Sequence, residues 1–162
     1  MRKLKVYMDT SIISHLYAED KPDWRAITEE LYSDTIPSNA YNFFISDVVL
    51  GEIKRTNNSE LRDKLIKAAT IPAIKLITYS SDEAGVLAEK YIEQGALPPT
   101  SLDDALHVAI STICDVDILL SWNYKHLSNI EREIKIQSVN LNQGYTHPIR
   151  ITNPLEVFHA RE

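Results

Sequence analysis

Ser101-Leu102-Asp103-Asp104-Ala105-Leu106-His107-Val108-Ala109-Ile110-Ser111 sets a helix against a core and places ionisable groups at the start of that helix. At about 100° per residue, Leu102, Ala105, Leu106, Ala109, Ile110 and Ile113 fall on one apolar side. Asp103, Asp104, His107 and Ser111 share an arc on the other. Thr100 or Ser101 can cap such a helix, and both aspartates then lie in the first turn, where carboxylates complement the helix dipole. That capping role by itself needs no chemistry. Two further acids elsewhere in the chain, each beside an apolar run, give the stretch its second reading.

Upstream, Leu4–Met8 reads as a short strand ending at Asp9, and Asp9-Thr10-Ser11 opens a helix through Ile12, Ile13, Leu16 and Tyr17. An Asp at a strand-to-helix junction caps the helix; the same position is the carboxyl end of a strand, where open α/β sheets bind ligands. Pro22 and Asp23 start a second helix carrying Trp24, Ile27 and Leu31, ending near Thr35-Ile36-Pro37. Asn42–Ser46 is the next strand, and Ser46 or Asp47 caps a helix with Val48, Val49, Leu50, Glu52 and Ile53. Glu52 sits among apolar neighbours, so its carboxylate either reaches a partner within the fold or lies at a solvated edge paired with Lys54 or Arg55. A helix over Ser59–Ala69, a strand at Ile74–Ile77 and a helix from Asp82 to Gln94 follow, with Gly95 as its stop.

Downstream, Asp117–Ser121 has the continuous apolar centre of a strand buried on both faces. It leads into Trp122-Asn123-Tyr124-Lys125-His126-Leu127. Near period-two alternation over Ile134–Val139 predicts the last core strand. Pro148–Ile151 and Thr152–Phe158 then read as a short strand and a capped helix. Strands and helices alternating through short links predict an α/β fold, a central parallel sheet of about five strands covered on both faces.

At 162 residues, 44% of them hydrophobic, the chain reads as a single domain, 1–162, with material for a real core. The net charge of −6 argues against simple electrostatic adhesion to nucleic acid or to an anionic membrane. It does not exclude a nuclease, because carboxylates clustered around a cation push the balance negative. One cysteine, Cys114, excludes an internal disulfide framework and fits a reducing compartment. No apolar run reaches spanning length, and the basic N-terminus leads straight into a strand, so a cytoplasmic protein with no membrane association is expected.

Asp9, Glu52 and Asp104 each stand beside a strand end or a helix start. If those ends converge, three carboxylates meet in one cleft and repel one another unless a cation is present or one of them holds a proton. Oxygen-only ligands suit Mg²⁺ or Mn²⁺. The chemistry natural to such a site is metal-assisted attack of water on a phosphodiester.

The ordered set Val6-Tyr7-Met8-Asp9-Thr10-Ser11, Val48-Val49-Leu50-Gly51-Glu52-Ile53, Asp103-Asp104-Ala105-Leu106-His107-Val108-Ala109 and Asp117-Ile118-Leu119-Leu120-Ser121-Trp122-Asn123 resembles the PIN-domain family. These are the three-layer α/β/α nucleases that include VapC-type toxins of toxin–antitoxin pairs. Ile151-Thr152-Asn153-Pro154-Leu155-Glu156 is similar to an ending found in part of that family, so the match covers nearly the whole chain. The resemblance implies Asp9, Glu52 and Asp104 as the three acids that bind or orient Mg²⁺ or Mn²⁺. It implies Thr10 or Ser11 as a hydroxyl near the first acid or a phosphate, and Ser121 as the hydroxyl at the end of the fourth strand. The family's fourth acid falls on Asn123, a departure: an amide can donate an oxygen or hold a metal-bound water but adds no charge. Asp103 and His107 are possible supports for Asp104, His107 being within one turn of it. His107 serves equally as a hydrogen-bonded packing residue. Lys125 and His126 stand at the expected mouth, as contacts to an RNA backbone or as plain surface residues.

The resemblance thus implies a metal-dependent ribonuclease, the toxin of a type II pair, working as a homodimer and neutralised by an antitoxin protein. The rival reading is a PIN-like protein, weakened by Asn123, that binds nucleic acid or a partner protein without cleaving. A small-molecule phosphohydrolase using an aspartyl-phosphate would want a second Asp two residues after Asp9, where Ser11 stands. A dinucleotide binder would want a glycine-rich turn after the first strand, and the chain has four glycines in all.

Overall fold

The computed structural model describes residues 2–123, 127 and 129–159. Five parallel strands form one sheet: β1 (Lys5–Met8), β2 (Asn42–Ile45), β3 (Ile74–Leu76), β4 (Ile118–Leu120) and β5 (Arg150–Thr152), in the order β3-β2-β1-β4-β5. The helices are α1 (Thr10–His15), α2 (Pro22–Glu30), α3 (Asp47–Lys54), α4 (Ser59–Ala69), α5 (Ser81–Glu93), α6 (Leu102–Ile113) and α7 (Ile130–Asn142). A five-residue π-helical turn, Leu31–Thr35, continues α2, and another, Leu155–His159, follows β5.

The first three strands step outward from β1 in one direction; the chain then returns past β1 and steps the other way. Parallel crossovers are right-handed, so this reversal sends the two sets of helices to opposite faces. Helices α1 to α4 pack on one another, as do α5, α6 and α7. The reversal also makes β1 the central strand. Its partners are β2, with Tyr7 beside Phe44, and β4, with Tyr7 beside Leu119. Val6, Tyr7 and Met8 are wholly buried, as a strand covered on both faces requires. The crevice beyond the carboxyl ends of β1 and β4 is the switch point at which such sheets bind ligands.

The strand expected over Ile134–Val139 is instead part of α7, and β5 is the short run after Pro148. Six alternating residues fit either period, and the partners across the fold decide. As a helix the segment buries Ile136, Val139 and Asn140. It also sets Glu133 and Gln137, four residues apart, side by side. Glu133 Oε2 accepts from Ile151 N (3.1 Å) and Gln137 Nε2 donates to Ile149 O (2.9 Å), so α7 caps the open main-chain edge of β5. Two placements on α6 also differ from expectation. Leu102, set on the apolar side, is 52% exposed, while His107 and Ser111, set on the polar arc, are buried. Beyond its first turn α6 is enclosed by α5, α3 and β4, which leaves no solvent-facing arc there.

At the opposite end of the sheet, Asp117 ties the N-terminus to the last third of the chain. Its carboxylate accepts two bonds from the Arg2 guanidinium (2.7 and 2.8 Å), one from Lys5 N (2.8 Å) and a contact from His147 Nε2 (2.9 Å). The Arg2 hydrogen bond is foremost in holding the Asp117 carboxyl far below the usual carboxylate range. An acid depressed on folding stabilises the native state above its unfolded pKa of about 3.9 and loses that contribution below it. Asp117→Asn is expected to lower Tm by about 2–6 °C at neutral pH. The gap from wild type should close as pH falls from about 5 toward 2. Thermal melts across that range check it, and a gap independent of pH would sink the account.

Candidate active site

Asp9 follows β1 directly, and its main-chain N–H continues the β1–β4 pairing by donating to Leu120 O (3.2 Å). Its side chain both caps α1 and faces the switch point, so the two roles open in the sequence coincide in one carboxylate. Oδ1 accepts from Ser11 N (3.0 Å) and from Ser11 Oγ (2.5 Å). Ser11 Oγ in turn accepts from Trp122 N (2.9 Å) and lies 3.4 Å from Ser121 Oγ, which accepts from Asn123 N (2.9 Å). Asn123 Nδ2 donates to Asp104 Oδ2 (3.4 Å). A continuous polar thread therefore runs from Asp9 through Ser11, Ser121 and Asn123 to Asp104, joining the ends of β1 and β4 to the first turn of α6.

Glu52 arrives from α3 on the other side. Thr10 Oγ1 donates to its Oε1 (2.8 Å), and His107 Nε2 lies 2.5 Å from the same oxygen. The far side of the imidazole, Nδ1, meets Tyr7 Oη at 2.7 Å, and Tyr7 Oη meets Ser46 Oγ at 2.6 Å. His107 thus belongs to Glu52 by hydrogen bond, whereas the sequence paired it with Asp104. Of the two candidate hydroxyls after Asp9, Ser11 serves Asp9 and Thr10 serves Glu52. Asp103 forms an ion pair with Arg55 (2.6 Å). Lys125 and His126 lie outside the described residues.

The charges are coupled. Burial drives the Asp9 carboxyl upward, against the positive field of His107 and the hydroxyls of Ser11 and Ser121, which pull it down. Burial also opposes the Glu52 carboxylate, but the hydrogen bond and charge of His107, with the Thr10 hydroxyl, outweigh it and leave Glu52 lowered. For His107 burial opposes the charged ring, and the Glu52 hydrogen bond with the fields of Asp9, Glu52 and Asp104 raises it. The buried imidazole is hydrogen-bonded to Glu52 and lies within the fields of Asp9 and Asp104.

Two residues of this arrangement had no functional reading in the sequence. Tyr7 was read only as a residue of the first strand, and Ser46 as a cap for α3, which it is, accepting from Val48 N (3.2 Å). The available signal was a tyrosine in the middle of the central strand, because a buried phenol needs a polar partner.

Among the described residues no group of three or more His, Cys, Asp and Glu side chains is arranged to hold a metal ion by itself. A hard cation does not require one: Mg²⁺ is ordinarily bound through one or two carboxylates, completing its shell with waters and substrate phosphate. The donors here are all oxygen. Asp9 is buried with too little positive charge around it to offset desolvation. By their chemistry the carboxylates of Asp9, Glu52 and Asp104 fit a hydrated divalent cation.

No protein-family model and no curated protein matches the chain. Solved structures do. VapBC2 from Rickettsia felis, bound to a DNA fragment from its promoter, aligns with a TM-score of 0.55 at 15% identity over 93% of this chain and 98% of that one. VapC20 from Mycobacterium tuberculosis, a Sarcin-Ricin loop cleaving toxin, aligns with a TM-score of 0.52 at 14% identity over 88% of this chain and 97% of that one. The chain has the fold of these proteins, the PIN-like α/β/α architecture with an all-parallel five-stranded sheet.

Proposed function

We propose that this chain is a metal-dependent ribonuclease that hydrolyses RNA phosphodiester bonds, acting as the toxin of a type II toxin–antitoxin pair. The reading is carried by one observation: Asp9, Glu52 and Asp104, far apart in sequence, all act on a single buried imidazole, hydrogen-bonded to Glu52, at the switch point of a fold shared with a Sarcin-Ricin loop cleaving toxin.

In this reading Asp9 and Asp104 would hold Mg²⁺ or Mn²⁺, with Glu52 as the third acid and Asn123 as a neutral oxygen donor or a hold for a bound water. The ion supplies charge neutralisation at the phosphate and an acidified water. The chain's own residues set the geometry. Ser11 and Ser121 fix the Asp9 carboxylate and the Asn123 backbone, and Thr10 and His107 fix Glu52. Lys125 and His126 would meet the RNA backbone. The −6 net charge gives little non-specific pull on RNA, so capture falls to the bound cation and to local contacts. A neutralising antitoxin whose segment covers the acidic cleft, and a homodimer, complete the proposal. Asn123 favours one second reading: its amide leans on Asp104 and adds no charge where the family has an acid. The protein would then bind RNA or a partner without cutting.

The test is incubation of purified protein with a pool of single-stranded and structured RNA in Mg²⁺, Mn²⁺ or EDTA, beside Asp104→Asn. Cutting that needs the metal and is lost in the variant is expected. A folded protein that cuts under no metal, and gains cutting in Asn123→Asp, would establish the second reading instead.

A further inference from the structure

Glu52 is held by more than its neighbours in the cleft. Val48 N donates to Ser46 Oγ (3.2 Å), Ser46 Oγ meets Tyr7 Oη (2.6 Å), Tyr7 Oη meets His107 Nδ1 (2.7 Å), and His107 Nε2 meets Glu52 Oε1 (2.5 Å). Tyr7, Ser46 and His107 are all buried. The directions along this chain follow from what each atom can do. An ionised carboxylate only accepts, so the hydrogen between ring and acid sits on Nε2. Nδ1 accepts the Tyr7 hydroxyl hydrogen when the ring is neutral and donates to Tyr7 when it is charged; in both forms Nε2 keeps its hydrogen toward Glu52. The chain of contacts runs from the N-terminus of α3, through β1 and α6, and back to Glu52 on the sixth residue of α3. The route leaves a helix and returns to it, so Glu52 is fixed relative to its own helix cap and to the central strand at once. Thr10, adjacent to Asp9, donates to the same oxygen. Both donors converge on Oε1 and leave Oε2 for water, cation or substrate.

We infer that His107 is a positioning residue that fixes Glu52 through its Nε2 hydrogen, with Tyr7 and Ser46 holding the imidazole from its Nδ1 side. The inference rests on the ribonuclease reading for its purpose, but the geometry it asserts stands in the metal-free chain. Preorganisation of this kind matters because a catalytic carboxylate displaced by about 1 Å can cost about 10²-fold in rate.

The first experiment reads the ring directly. In metal-free, ¹⁵N-histidine-labelled full-length protein at neutral pH, His107 is expected to carry a slowly exchanging hydrogen on Nε2, seen as a one-bond ¹⁵N–¹H correlation. A bare Nε2 would overturn the inference. The second uses variants in the RNA cleavage assay. Gln extends an amide N–H to about the reach of Nε2; Leu removes the donor and keeps the bulk. His107→Leu is expected to lower kcat about tenfold or more with KM within about twofold, and His107→Gln to recover to within about threefold of wild type. Leu at wild-type kcat, or Gln as impaired as Leu, would overturn it. A leucine variant that fails to fold leaves the glutamine variant and the wild-type spectrum to decide. If wild type cuts no RNA under any metal, the ribonuclease reading fails while the spectrum still judges the placement of the hydrogen.

Discussion

Asp9→Asn is expected to abolish metal-dependent RNA cleavage while raising the melting temperature of the metal-free protein. The loss of activity should be about 10²–10³-fold or more, the scale on which removal of one preorganised electrostatic group acts. The gain in stability follows from the burial that pushes the Asp9 carboxyl upward. An acid whose pKa is raised on folding destabilises the native state once it ionises. That cost is absent below the unfolded pKa of about 3.9 and grows as pH rises through the folded value. Asn keeps an oxygen to accept from Ser11 N and Oγ but cannot ionise. The variant should therefore melt with wild type near pH 3 and above it at pH 7, by about 2–4 °C for each kcal/mol relieved. Melts at the two pH values and a cleavage time course measure both halves. Unchanged cleavage would remove Asp9 from the site; a melting temperature lowered at pH 7 would refute the electrostatic account.

Trp122→Ala is the substitution expected to damage the fold most. The indole is 2% exposed and stacks on Trp24 at 4.8 Å between ring centroids, with 10° between the planes. Its Nε1 donates to the buried Thr28 Oγ1 (2.9 Å), while His15 packs against both tryptophans and the Lys21 ammonium lies over Trp24. Truncation should cost about 3–5 kcal/mol, the range for large aromatic residues in a packed core. Trp122→Phe should cost less, because it keeps a ring in the stack and loses the indole N–H. Denaturant unfolding of the two variants orders them. A loss under about 1 kcal/mol in Trp122→Ala would mean that the aromatic cluster is not part of the cooperative core.

The parts of the fold that were legible in the sequence are those where several local signals agreed. β1, β2 and β4 are apolar runs ending at Asp9, Ser46 and Ser121, and α5 and α6 carry apolar residues at helical spacing. That Asp9 ends a strand where such sheets bind ligands followed from its strand-to-helix junction, and the parallel α/β class followed from alternation; the strand order that makes this end the switch point came from the fold. Misreadings came where the deciding partner was distant. Ile134–Val139 alternates like a strand, but Glu133 and Gln137 meet β5 only in the folded chain. His107 looked like a neighbour of Asp104 because one helical turn separates them; its hydrogen-bond partner is Glu52, on another helix. Tyr7 carried no polar signal because a phenol in an apolar strand looks like core until its hydroxyl is followed to Ser46 and His107.

The central strand is made before either of its neighbours in the sheet. β1 gains β2 early, but its other neighbour, β4, comes only after Asp104 and the whole of α6. At about 5–20 residues per second of synthesis, Asp9 emerges roughly 5–20 seconds before the acid it will face. Throughout that interval one side of the strand bearing it has no partner. Whatever chemistry the acids perform, the cleft that holds them assembles only once the chain has been made through β4, which slots in beside β1. The order of strands in this sheet thus sets the earliest moment at which the cleft can form.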